Sequence, residues 1–265
     1  LASLHGFVDT KIPNIVHFIY GLKGPGEPLF YFHYLAVLSA IRVNRPDAVY
    51  FHYQYPPEGQ WWDEIQQLVV PVQRNARESI GTQRLSHYAH RCDVMRLEIL
   101  LEQGGVYLDI DTLCIQPWRD LLDHSFVIGE ELPYGRPVAS LCNAVMLSEI
   151  GAGFVKAWLE HYPSSFKEGE WTTTSCVLPR LLSQTPELGP RITILPVEKL
   201  HHPTGPELFN PGEIPRDLMI AHYWGHLPLC DQIVRSSSPA MIRQAPDVMF
   251  SKIALQVFDG SLPGE

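Results

Sequence analysis

Little in this chain of 265 residues points to a covalent framework. The five cysteines, Cys92, Cys114, Cys142, Cys176 and Cys230, are widely spaced and include no C-x-x-C pair. An odd number at such spacing disfavours a zinc knuckle or a disulfide scaffold, and the expected state is free thiols in a core. Positive charge is also scarce: 20 Lys and Arg stand against 29 Asp and Glu, a formal net charge of -9. A nonspecific polyanion-binding face needs clustered cations, so nucleic acid drops out as a partner, whereas a small phosphorylated ligand neutralised by one divalent ion does not. No apolar run is long enough to span a bilayer, no secretory signal pattern occurs, and there is no N-x-S/T sequon. These absences favour a cytoplasmic, bacterial-like setting and leave room for peripheral membrane association. A Golgi luminal domain is the alternative if an anchor has been removed upstream of Leu1. Repeats and Gly-Ser or Pro-rich linkers are missing as well, so one domain over residues 1–265 is expected.

What is present is an alternation of brief apolar runs and helix-length segments. Asn14 to Tyr20 reads as a buried first strand followed by the breakers Gly21, Gly24, Pro25, Gly26 and Pro28. Tyr31 to Val43 has the length of a helix, Val49 to Tyr53 is a second strand, Trp61 to Gln67 a short helix and Leu68 to Val72 a third strand. Further strands are expected at Phe126 to Glu131, Ser140 to Leu147, Ile192 to Val197 and Ile220 to Trp224, with helices at Gly151 to Tyr162 and Thr173 to Leu182. This is the pattern of an α/β layer architecture. Prolines and glycines dominate residues 201–215, which predicts an irregular lid or acceptor loop within the domain. Short helices are expected at Ala240 to Gln244 and Val248 to Val257.

The most informative stretch is Ala89 to Asp111. Val94, Leu97, Leu100 and Leu101 recur at helical spacing, with Met95 and Ile99 widening the apolar face, and Gly104-Gly105 ends the helix. Val106-Tyr107-Leu108 then runs as a strand straight into Asp109-Ile110-Asp111. Ligands of open α/β sheets gather beyond the carboxyl ends of strands, where this acidic pair falls. Two carboxylates one residue apart can address a hard divalent ion if the backbone between them turns, and a diphosphate would supply further oxygens. A D-x-D triplet alone is a common accident, so the assignment rests on its context. Asp93 and Arg96, three residues apart on one helical face, are either a local salt bridge or a buried pair that needs further polar partners.

The order Asp93, Arg96, Ile99-Leu100, Gly104-Gly105, Val106-Tyr107-Leu108-Asp109-Ile110-Asp111 resembles the core of DXD-containing glycosyltransferases of family 32, which include yeast mannosyltransferases and animal α-galactosyl- and α-N-acetylglucosaminyltransferases. It is also similar to the catalytic core of clostridial glucosylating toxins. Weaker likeness extends to Ile12 through His17, to Asn143 within Leu141-Cys142-Asn143-Ala144-Val145, and to His222-Tyr223-Trp224, leaving the chain beyond about residue 230 unaccounted for.

The resemblance implies a GT-A fold, a Rossmann-like mixed sheet flanked by helices. It implies retaining transfer of a hexose or N-acetylhexosamine from a UDP- or GDP-sugar, UDP favoured, to a hydroxyl acceptor on a glycan, lipid or small molecule, with Mn²⁺ or Mg²⁺ on the diphosphate. Carried over, Asp93 and Arg96 contact the donor sugar. Asp109 contacts the ribose, the sugar or the ion, Asp111 is the firmer metal ligand, and His222 completes the metal or diphosphate site. His17 and Tyr20, at the end of the first strand, line the base pocket or simply pack there. Asn143 holds the donor sugar or is a satisfied buried amide. Where related enzymes carry a His-Ser-Trp pattern this chain has His222-Tyr223-Trp224-Gly225-His226, so His222, Trp224 and His226 compete for the diphosphate. Trp61, Trp62 and Trp158 are expected in packing, whereas Trp171 beside three threonines suits an acceptor side. The adjacent His201 and His202 do not by themselves make a zinc site. Two rival functions share these features: a metal-dependent nucleotide-sugar hydrolase, and a non-catalytic sugar-nucleotide or glycan-binding protein.

Overall fold

The computed structural model describes residues 10–132 and 140–264. Strand β1 (Ile15–Tyr20) is buried along almost its whole length, as its sequence, apolar but for His17, demands of a central parallel strand. Helix α1 (Tyr31–Asn44) returns the chain to β2 (Ala48–Tyr53), which runs parallel to β1 in register from Ile15↔Ala48 to Tyr20↔Tyr53. Helix α2 (Gln60–Ile65) leads to β3 (Val70–Gln73), an edge strand, where Pro71 costs no ladder bond to a further neighbour. A two-residue hairpin, β4 (Ser79–Ile80) and β5 (Gln83–Arg84), precedes helix α3 (Tyr88–Gln103).

The turn from α3 into β6 (Gly105–Leu108) is made by Gly104 at φ 64° and Gly105 at φ 90°. A Cβ on Gly105 would lie 2.6 Å from Ile15 Cγ1 and 2.8 Å from Ile15 O, so only glycine lets β6 settle against β1 here. Strand β6 is parallel to β1, and β7 (Thr112–Cys114) follows after a turn. Strand β8 (Phe126–Glu131) and the nine-residue β9 (Ser140–Ser148) pair antiparallel, with a register shift between Ile128 and Gly129.

Helix α4 (Gly153–Ser165) is followed by α5 (Leu178–Ser183), β10 (Thr193–Leu195), α6 (Val197–Leu200), β11 (Ile220–His222) and the helices α7 (Pro228–Ser236), α8 (Pro239–Gln244) and α9 (Met249–Val257).

The main sheet has the order β10-β8-β9-β6-β1-β2-β3, and β9 runs antiparallel to both neighbours. It is a mixed sheet with helices on both sides, the GT-A-like arrangement. One core cluster joins Phe18, Leu35, Phe51 and Leu113 with Phe250 and Ile253 of α9; another joins Tyr107 and Met146 with Leu97 and Ile99 of α3 and Trp158 of α4. A small second sheet pairs β7 antiparallel with β11, His222 opposite Thr112.

Some expectations shift. Residues expected as one helix from Thr173 to Leu182 form a five-residue wide turn, Thr173–Val177, and then α5, whose first turn accommodates Pro179. The last expected strand ends at His222, because Trp224 takes φ 50° and turns the chain. Helix α7 was not foreseen from sequence. Residues 201–215 are irregular apart from a single turn at Glu207–Phe209, yet they are packed: Leu208 is fully buried and Pro206 reaches the central cavity. All five cysteines are free thiols.

Candidate active site

Helix α3 delivers Asp93 and Arg96 to the sheet on its buried face, each 5% exposed. Their ion pair is 3.5 Å long and is one edge of a larger network. Asn143 Nδ2 donates to Asp93 Oδ1 at 2.8 Å, while Arg96 Nη1 donates to the Asn143 carbonyl at 2.9 Å and to its Oδ1 at 3.2 Å. The same Nη1 lies 3.0 Å from Asp109 Oδ1, and the guanidinium sits 4.6 Å above the Tyr107 ring. Tyr107 donates its hydroxyl to Asp109 Oδ1 at 2.5 Å. The pair is thus not a surface salt bridge. A charge this deep requires such partners, since losing one partner of a buried pair costs about 3–5 kcal/mol. Burial opposes the Arg96 charge, but Asp109, Cys92, Tyr107 and Asp93 around it hold it protonated.

Asp109 extends the ladder of β6, its N–H donating to Ala144 O at 2.8 Å, and the backbone then turns at Ile110-Asp111 into β7. That turn lets both carboxylates face one space. Burial pushes the Asp109 carboxyl above its ordinary range; Arg96 opposes the shift and the neighbouring charge of Asp111 adds to it. Asp111 is held by β11 and the turn after it: its carbonyl accepts from Tyr223 N at 2.9 Å, and its Oδ2 accepts from Gly225 N at 2.6 Å. His222 Nε2 stands 3.6 Å from Asp111 Oδ1. Ligand atoms of Asp109, Asp111 and His222 all lie within 4.8 Å of one another. Two carboxylates and an imidazole at this spacing suit a hard divalent ion, which would also relieve the repulsion between the acids.

These residues open into a cavity of about 720 Å³. Tyr20, Asp93, Arg96, Asp109, Asp111, Asn143, His222 and Trp224 all line it, and so do His226 and the 41% exposed Trp171. Tyr20 is fixed there by donating its hydroxyl to Pro28 O at 2.7 Å. Trp224 is 6% exposed, and its indole N–H has no hydrogen-bond partner.

His17 is a correction. It is fully buried under the sheet and does not line the cavity: Nδ1 is 3.1 Å from His52 Nε2, Nε2 is 3.0 Å from Gly104 O, and the ring stacks on Tyr50. His17 lies nearer the start of β1, against Gly104 O at the turn into β6, whereas Ile19 and Tyr20 at the carboxyl end of the strand line the cavity.

Sequence reasoning missed other cavity residues. His33, on α1, lies against Tyr20 and is driven down to about 3 by burial. His90 Nδ1 lies 3.7 Å from Asp93 Oδ2; three residues ahead on the same helix face, it carried a spacing signal that could have found it. Glu131, Cys142 and Cys176 line the deep wall and come from separate segments, with no signal linking them.

Comparison with known proteins agrees with this geometry. Residues 32–128 match the family model "Glycosyltransferase sugar-binding region containing DXD motif", which takes in α3, β6 and the Asp109-Ile110-Asp111 turn. Glucan organizing enzyme 1 of Cryptococcus neoformans var. grubii serotype A is 39% identical over 183 residues, 65% of this chain and 50% of that protein. The chain therefore spans about half the length of the curated relative it matches. Among solved structures, the galactosyltransferase LgtC in complex with donor and acceptor sugar analogs superposes with a TM-score of 0.50 at 12% identity, covering 94% of this chain and 98% of that one. The glycosyltransferase GlyE of Streptococcus pneumoniae TIGR4 gives 0.48 at 13% identity, covering 96% and 66%. Residues 32–128 thus resemble a DXD-containing glycosyltransferase region, the fold is GT-A-like, and Asp109, Asp111 and His222 form a cluster able to hold a metal ion.

Proposed function

We propose that this chain is a metal-dependent retaining glycosyltransferase that moves a hexose or N-acetylhexosamine from a UDP-sugar, or less readily a GDP-sugar, to a hydroxyl acceptor. The observation that carries the reading is the convergence of two polar groups on one cavity: the Asp109, Asp111 and His222 cluster beside the buried Asp93, Asn143 and Arg96 network. The first group has the donor chemistry for Mn²⁺ or Mg²⁺, which when bound would offset the charge of a diphosphate and of the nucleoside diphosphate as it leaves.

The remaining work falls to the chain itself. Arg96, locked by Asp93, Asn143 and Asp109, is a fixed cation at the cavity wall, and a preorganised charge stabilises developing negative charge without having to reorient. Asp93 and Asn143 present carboxylate and amide atoms that can hold sugar hydroxyls and so position the anomeric carbon. Tyr20, Trp224 and Trp171 all line the cavity; the first two would offer ring surface to the nucleoside, and Trp171 would serve the acceptor. No side chain is assigned as a covalent nucleophile, in keeping with attack from the face that the leaving diphosphate vacates. The name of the fungal relative speaks of glucan, which makes a glucan oligosaccharide the first acceptor to try.

The test is a panel of UDP- and GDP-sugars with and without Mn²⁺, following glycosylated product and free monosaccharide separately. Product formation that needs the ion and is lost in Asp111→Ala is expected. Ion-dependent release of monosaccharide alone, across acceptors, would favour the hydrolase. Normal turnover by Asp111→Ala would refute the metal assignment.

A further inference from the structure

Glu131 closes β8 at the deep wall of the cavity and is 9% exposed, yet among the described residues no Lys or Arg forms an ion pair with it. Its carboxylate accepts a weak hydrogen bond from the Cys176 thiol at 3.8 Å. An isolated buried carboxylate is costly unless something positive completes it. Around it the chain gathers cation ligands from three further segments: Cys142 of β9, His201 after α6, and His222 of β11. Ligand atoms of all four lie within 4.8 Å of one another, and all four residues are buried.

The histidines are the second observation. His201 is 1% exposed, and neither of its ring nitrogens has a hydrogen-bond partner. His222 meets Asp111 through Nε2, while its Nδ1 is buried and unpartnered. A buried polar atom left unsatisfied costs about 1–3 kcal/mol, so three such nitrogens beside a bare carboxylate call for a shared partner. The backbone makes room for this gathering. The register shift between Ile128 and Gly129 pairs Gly129 with Cys142, and a Cβ on Gly129 would lie 3.0 Å from the His201 ring.

We infer that Glu131, Cys142, His201 and Nδ1 of His222 form a buried zinc site, separate in chemistry from the Asp109 and Asp111 oxygens. One thiolate, two imidazoles and one carboxylate make a closed four-ligand set of the kind zinc takes, whereas Mn²⁺ and Mg²⁺ prefer oxygen. Binding breaks the Cys142 S–H bond, forms the sulfur–zinc bond and sends the proton to solvent. His222 belongs to both candidate ligand sets, Nε2 facing Asp111, and were both sets filled its ring proton would also pass to solvent. The zinc would tie β8, β9 and β11 together one residue before Asn143 in β9 and would fix the plane of the His222 ring. This site does not depend on the donor chemistry proposed above.

Cobalt reports on it without any assay of turnover. Co²⁺ added to the metal-free full chain is expected to give the near-ultraviolet charge-transfer band of a thiolate ligand and the strong visible bands of tetrahedral cobalt, both displaced by Zn²⁺. Cys142→Ser should remove the charge-transfer band, and His201→Gln should weaken cobalt binding at least tenfold, with far-ultraviolet circular dichroism checking that each variant is folded. Cys176→Ser and Asp111→Asn should keep the band. A wild-type chain that binds cobalt without a thiolate band overturns the site whatever the variants do, since ordered water would then be what satisfies these atoms. Survival of the band in Cys142→Ser overturns it equally. Retention of the band in Asp111→Asn separates this result from failure of the catalytic metal assignment.

Discussion

Asn143 joins two opposite charges that would otherwise meet through a single 3.5 Å contact: its amide donates to Asp93 and its two oxygens accept from Arg96. Removing the side chain leaves a buried carboxylate short of a donor and a guanidinium short of an acceptor. Asn143→Ala is expected to lower kcat about 100-fold, the scale of losing one preorganised group at a reacting centre, and initial-rate kinetics with the preferred donor would show it. His17 and His52 support a different prediction. Burial holds them neutral, at about 4 and about 3, below the ordinary histidine value of 6.5. A histidine with a depressed folded value favours the native state above its unfolded value and loses that contribution as pH falls. Stability should therefore decline as pH drops from about 6.5 toward 4, by on the order of 3 kcal/mol for His17 at about 1.4 kcal/mol per unit. Urea midpoints measured across that range check it, and His17→Gln should flatten the decline.

At the scale of elements, the junction of α3 and β6 bears most of the design, because one continuous segment provides the buried pair, the glycine turn and both acids. Gly105→Ala would force a left-handed alanine into contact with Ile15 and is expected to destabilise by about 2–4 kcal/mol, seen as a lower urea midpoint at unchanged slope. This same continuity made the site legible in the sequence: helical spacing, paired glycines and the acidic strand end occur in one reading frame from Asp93 to Asp111. Legibility faded where geometry depends on elements far apart in the chain. The β7 and β11 strands are three residues each, too short to show a period, yet they position Asp111 against His222. Glu131, Cys142 and His201 come from β8, β9 and the end of α6, and meet through tertiary packing that includes the β8–β9 register shift. His17 falls outside the cavity because only the carboxyl end of β1, at Ile19 and Tyr20, reaches it, and an apolar strand does not show in its sequence how far along it a ligand lies. The turn at Thr173–Val177 looked helical because its composition is, although its hydrogen bonds are wider.

For the whole molecule, the proposed function asks an acidic chain with a net charge of -9 to admit a negatively charged diphosphate, and the groups that would offset that charge lie in one place. A mixed seven-stranded sheet brings the carboxyl end of β6 to a cavity of about 720 Å³, with Arg96 inside and the Asp109, Asp111 and His222 cluster on its wall. On this account cation and nucleotide bind as partners, each lowering the electrostatic cost of the other, a reciprocity that linkage requires. Calorimetric titration of Mn²⁺ into the full chain, with and without UDP, measures that directly. The account predicts one ion per chain at this cluster, an affinity raised at least tenfold by UDP, and loss of that enhancement in Asp111→Asn. Equal Mn²⁺ affinity with and without UDP, or an enhancement that survives Asp111→Asn, would contradict it.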